Sequence, residues 1–165
     1  MLHMLSMLRK NLLGTLACVP VLMAVLASPT WGQTAVLQRQ LAAATGVICA
    51  FSALATGTWK DGTALAEVTA RPLKVSFTEV NVDEGTAQAE GAFGDSLVVV
   101  RYLNDYLHLM QTHSSGALYT TTVLARATKD GRLLAVHTRH EYTDVRLPGF
   151  TSRPEMYVGD CTLGP

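Results

Sequence analysis

The sequence predicts an all-β fold, a small antiparallel up-and-down barrel or sandwich of about eight strands with one short N-terminal helix. Three observations carry that prediction. Four apolar, β-branched and aromatic runs follow one another at residues 97–103 (LVVVRYL), 106–112 (YLHLMQT), 118–127 (LYTTTVLARA) and 133–142 (LLAVHTRHEY). Their separators, Asn104-Asp105, Ser114-Ser115-Gly116 and Lys129-Asp130-Gly131, are residue types that favour the dihedrals of tight antiparallel turns. Turn signals recur about every 8 to 12 residues through most of the rest of the chain, and only one stretch has helical periodicity.

Taken in order, the first 32 residues hold Arg9 and Lys10, an apolar run over 12–27, then Ser28-Pro29-Thr30-Trp31-Gly32, with no acidic residue. That is the layout of a secretory signal peptide, so the expected organisation is a signal over 1–32 and a single β domain over 33–165. Two other readings of the segment are an uncleaved membrane anchor and lipidation at Cys18. The apolar run, broken by Pro20, is short for a spanning helix, which needs roughly 20 residues. Cys18 lacks the leucine expected three places before a lipidated cysteine.

Loss of 1–32 removes Arg9 and Lys10 and no acid, leaving 11 basic against 13 acidic residues and a charge near −2. Nucleic acid and anionic membrane surfaces are therefore poor partners, because both demand a basic stripe. Export also exposes the chain to an oxidising compartment. The two cysteines left, Cys49 and Cys161, form a candidate disulfide with one partner near each end of the domain.

Residues 33–45 (QTAVLQRQLAAAT) place Val36, Leu37, Leu41 and Ala44 at helical spacing before Gly46, which suits a short helix packed across one end of the sheet. A strand is expected over 46–52. A bend at Gly57 and a turn at Lys60-Asp61-Gly62 should frame a short strand near Trp59. Over 66–82 a break is expected at Arg71-Pro72. Leu73, Val75 and Phe77 then alternate in one phase and Val80 and Val82 in the other, a slip that predicts a β-bulge near Thr78-Glu79. Ala87, Ala89, Gly91 and Phe93 share the next inward face. The last strand should run over 155–159, into Cys161.

Register follows from the turns. A two-residue loop at Asn104-Asp105 sets Tyr102 opposite Leu107, Val100 opposite Leu109 and Arg101 opposite His108, with Val98, Val100, Tyr102, Leu107 and Leu109 facing inward. In 133–142 the expected inward set is Leu134, Val136, Thr138, His140 and Tyr142, since burying Arg139 and Glu141 in the other set is costly. His137, Arg139 and Glu141 would then form a solvated outer stripe. The Lys129-Asp130-Gly131 loop is compatible with two or three residues, which leaves the inward face of 118–127 open.

Little in the chain points to catalysis. His137 and His140 lie three apart on a strand and point to opposite faces, so they cannot share a metal ion. No GxSxG, SxxK, GxGxxG, Walker, HExxH or EF-hand pattern occurs, and two lone cysteines match no metal-ligand spacing. No catalytic residue, metal or cofactor is therefore expected.

The segments Cys49-Ala50-Phe51, Thr138-Arg139-His140 and Tyr157-Val158-Gly159-Asp160-Cys161 resemble a pattern found in small signal-bearing envelope proteins of Gram-negative bacteria with a calycin-like barrel layout. The resemblance implies a periplasmic or secreted location and supplies no catalytic residues.

The leading expectation is thus an exported, non-enzymatic barrel that binds a small apolar or amphipathic ligand. His140, Tyr142, Tyr102 and Thr138 are its candidate ligand-binding residues, because polar groups converging on an apolar interior make a binding pocket. The alternative is an envelope module that binds or inhibits another protein through the loop 143–154, with Arg146, Pro148, Phe150 and Arg153 as its contacts. Membrane contact is expected only through an uncleaved signal.

Overall fold

The computed structural model describes residues 30–90, 96–143 and 152–164. One helix, α1 (Thr30–Ala42), precedes eight antiparallel strands: β1 (Gly46–Lys60), β2 (Thr63–Asn81), β3 (Thr86–Glu90), β4 (Ser96–Leu103), β5 (Tyr106–Thr112), β6 (Leu118–Ala127), β7 (Leu133–His140) and β8 (Glu155–Gly164). Each strand pairs with the next, and β8 returns to β1, so the sheet closes into an up-and-down barrel. Residues 1–29 of the predicted signal segment, the expected inward Gly91 and Phe93, and the apex of the 143–154 loop, including Arg146, Pro148 and Phe150, lie outside the described residues, while 30–32 of that segment open α1.

The predicted turns form for the reasons given by their residues. Lys60 pairs with Thr63 around Asp61-Gly62, both at positive φ (51° and 78°), the requirement of a two-residue hairpin turn. Leu103 pairs with Tyr106 around Asn104-Asp105, with Tyr102 opposite Leu107 and Arg101 opposite His108 as expected. At the β6–β7 hairpin the Thr128 N–H donates to the Arg132 carbonyl, which makes Lys129-Asp130-Gly131 a three-residue loop.

The predicted bulge is present. Thr78 pairs with Gln88 and Asn81 with Thr86, so β2 carries one extra residue there, and Glu79 takes up the left-handed conformation at φ 51°. The bend expected near Gly57 is not. β1 runs unbroken through Gly57, whose N–H donates to the Pro154 carbonyl at 2.9 Å and so stays in a ladder. Its irregularity falls at Ser52 instead, where the registers with both β2 and β8 shift.

The core fills the barrel from alternate positions: Val47, Cys49 and Phe51; Phe77; Ala87 and Ala89; Val98 and Val100; Leu107 and Leu109; Val123 and Ala125; Leu133 and Ala135; Tyr157 and Cys161. Burying each large aliphatic side chain is worth roughly 1.5–3 kcal/mol. Cys49 and Cys161 sit directly opposite each other, 4.0 Å apart at Cα, and are bonded.

α1 covers one end of this barrel. Leu41 is fully buried, Leu37 packs against the core, the Tyr102 hydroxyl donates to the Gln38 carbonyl at 3.0 Å, and Gln38 Nε2 donates to Asp105. The helix starts and stops three residues earlier than its periodicity suggests, because the Thr45 carbonyl is taken by the Val80 N–H and Gly46 already belongs to β1.

Candidate functional site

At the end opposite α1, polar side chains enter the barrel from β6, β7 and β8. On β7 the inward set is Leu133, Ala135, His137 and Arg139, the reverse of the expected one. His137 is 3% exposed, whereas His140 and Tyr142 lie at the surface and Thr138 is half-buried. The cost of turning Arg139 inward is offset by what surrounds it. Its Nη1 lies 3.6 Å from Glu155 Oε2, and its guanidinium sits 5.3 Å from the Tyr119 ring centroid and 5.5 Å from that of Tyr157.

Strand pairing explains the gathering. Arg139 is opposite Glu155 and His137 opposite Tyr157 on β8, while Arg139 and His137 face Tyr119 and Thr121 on β6. The Tyr157 hydroxyl donates to Glu155 Oε2 at 3.0 Å, and the Tyr119 hydroxyl donates to Glu141 Oε2 at 2.9 Å. The Phe51 ring lies 5.7 Å from that of His137, tilted by 38°, and closes the cluster from the core side.

The proton on His137 is fixed by its neighbours. Arg139 Nε–H donates to His137 Nε2 at 3.3 Å, so that nitrogen is the acceptor. The ring proton then lies on Nδ1 and is donated to Thr121 Oγ1, 2.8 Å away. Burial, reinforced by the positive charge of Arg139, lowers His137 to about 3, so the imidazole is neutral at any physiological pH. Tyr119 is pushed up to about 12, chiefly by burial and then by its bond to Glu141 and that carboxylate's charge. Burial, then the charge and hydrogen bond of Glu155, also raises Tyr157. Both phenols therefore stay protonated donors.

The four residues expected to bind ligand are not brought together. His140 pairs with Leu118 on the outer side of the barrel, and Tyr142 stacks edge-on against Trp59 at 5.7 Å. Thr138 lies between Thr120 and Met156, and Tyr102 is inward but at the far end, bonded to α1. Of the candidate loop contacts, Arg153 holds the base of the loop: it donates to the Thr143 and Ser152 carbonyls at 2.8 Å and lies 4.6 Å from the Tyr142 ring.

The residues that do converge carry a signal in the sequence. Cys161 in a core disulfide fixes its face as inward, and the alternation Cys161, Gly159, Tyr157, Glu155 then turns an acid into the barrel, where it needs an inward cation. Arg139 is that cation. Among the described residues no three His, Cys, Asp or Glu side chains form a group that could hold a metal.

Fold and site together define a closed, disulfide-tied, eight-stranded antiparallel barrel, covered by a helix at one end and carrying at the other a cluster in which His137, Glu155 and Tyr157 are buried and Arg139 and Tyr119 half-buried. No protein-family model, curated protein or solved structure matches the chain.

Proposed function

We propose that this is an exported, calycin-like carrier of the bacterial envelope that takes a small amphipathic molecule at the end of the barrel opposite α1. One observation supports this reading above the others: Arg139, between two tyrosyl rings, meets Glu155 by a single 3.6 Å contact and not by a bidentate fork. The guanidinium N–H groups not taken by His137 and Glu155, beside the Glu141 and Glu155 carboxylates, offer both donors and acceptors to a polar head. The apolar part of the ligand would lie against Phe51 and the aliphatic wall.

The test is native mass spectrometry of the protein purified from its own envelope fraction, with titration by a fatty-acid probe read in tyrosine and tryptophan fluorescence. A discrete excess mass of a few hundred daltons, and saturable quenching that Arg139→Met weakens about tenfold or more, are expected from loss of a charged hydrogen-bond partner. A bare mass together with no saturable response overturns the proposal.

The clamped base of the 143–154 loop favours a second reading, a protein-binding or inhibitor module. The Thr143 N–H donates to the Ser152 carbonyl at 3.2 Å while Arg153 donates to the carbonyls of both, which ties the two ends of the loop together. Under this reading deletion of 147–152 abolishes capture of the partner and leaves Tm nearly unchanged.

A further inference from the structure

β1 and β2 outrun their neighbours. β8 begins opposite Thr56, and β3 pairs with β2 only between Ser76 and Asn81. Among the described residues no strand pairs with the side of β2 away from β1 between Thr63 and Val75, and residues 63–72 are all exposed, so this stretch is an edge. Natural sheets usually guard such an edge with lysines, prolines or bulges, because it is a template for another strand. Here the run from Ala64 to Ala70 has one charge, Glu67, and exposes Leu65 (47%) and Val68 (74%).

The direction of the free groups follows from the pairing. Lys60 and Thr63 close a two-residue turn and so form a hydrogen-bonded pair. By alternation the even-numbered residues Ala64, Ala66, Val68 and Ala70 turn their N–H and C=O away from β1. Gly57, opposite Ala66, confirms the parity, since its N–H is spent on Pro154 on the other side. Past Ala70 the β1–β2 register shifts, with Phe51 opposite Leu73 and Ala53 opposite Ala70, so Arg71 and Pro72 have no partner on β1, and Pro72 has no N–H to leave unpaired.

We infer that the β2 edges of two copies of this chain pair antiparallel about a twofold axis through Thr69, joining the two barrels into a dimer. The sequence Leu65-Ala66-Glu67-Val68-Thr69-Ala70-Arg71-Pro72-Leu73 is self-complementary about that residue. Glu67 of each copy falls opposite Arg71 of the other, Leu65 opposite Leu73, and Val68 opposite Ala70, with both members of the last pair presenting outward backbone groups. The centre of the ladder so formed holds four backbone bonds, all between the Val68 and Ala70 positions.

Charge selects this register over its neighbours. An axis through Glu67 sets two glutamates face to face, one through Arg71 sets two arginines face to face, and axes through Val68 or Ala70 leave both charges unpaired. Opposite charges across a strand pair stabilise it and like charges destabilise it.

Sedimentation equilibrium on protein produced from the full-length chain tests the inference. A dimer is expected. Glu67→Arg sets like charges opposite Arg71, and Arg71→Glu does so opposite Glu67, so each single variant should weaken association on the order of tenfold. The double exchange Glu67→Arg/Arg71→Glu restores the complementarity and should return the affinity to near wild type. Ala70→Pro removes two outward donors from the ladder and none from the monomer, and should yield a monomer with unchanged β-sheet circular dichroism. A monomer at every concentration, or a dimer indifferent to the single exchanges or not rescued by the double one, overturns it.

Discussion

His137 makes stability depend on pH in a calculable way. In the folded barrel burial and Arg139 hold it near 3, whereas an unfolded chain leaves a histidine near 6.5. The unfolded state therefore binds the extra proton between those two values. The sign follows: the contribution is complete above pH 6.5 and is lost as pH falls through the window from 6.5 toward 3. From pH 7.5 to pH 5 the imidazole alone should remove about 2 kcal/mol, a factor of roughly 30 in the folded to unfolded ratio. The assay is urea unfolding of wild type and His137→Gln at both pH values. All other titrating groups are common to the two proteins, so the difference between their pH dependences isolates His137. The variant is expected to lose about 2 kcal/mol less than wild type on acidification. Equal losses, or a native His137 resonance titrating near 6.5 by NMR, would refute the burial argument.

Two further expectations concern the seam between β1 and β8. A Cβ added at Gly159 would lie 2.2 Å from the Ala50 carbonyl oxygen and 2.6 Å from Phe51 Cα, both backbone, so Gly159→Ala should cost about 1–3 kcal/mol or more and lower Tm by roughly 5–15 °C. Differential scanning calorimetry measures it, and an unchanged Tm would mean that the strands part there easily. Replacing both Cys49 and Cys161 by Ala frees a loop of 112 residues, worth about 5 kcal/mol in the loop-entropy model before any strain is subtracted. Guanidinium unfolding reads the loss, and thiols that alkylate in native wild-type protein would rule the bridge out.

Much of the fold was legible because local chemistry decided it. Asp61-Gly62 and Asn104-Asp105 fix two-residue turns, and a two-residue turn fixes register, so the inward set from Val98 to Leu109 followed directly. The phase slip around Thr78-Glu79 marked a bulge because side-chain alternation permits no other local account of it. The site was less legible, for a different reason. The cost of burying Arg139, weighed on its own strand, looks prohibitive, yet it is met by Glu155 and Tyr157 on β8 and by Tyr119 on β6. Long-range partners of that kind leave no trace in the periodicity of a single strand. His140 and Tyr142 were misassigned to the interior by the same step, since reversing one residue reverses the whole strand.

The bridge between the first and last strands also acts as a gauge of alignment. Cys49 meets Cys161 only in the native register; a slip of one residue would set Cys49 against Asp160 or Thr162 and turn Cys161 toward the opposite face. In the folded barrel the two sulfurs therefore meet only where β8 lies beside β1 in this register, the pairing that closes the sheet. Once formed, the bond keeps the first and last strands tethered in a covalent ring even when the sheet opens, so the two edges that must pair to close the cylinder never drift far apart.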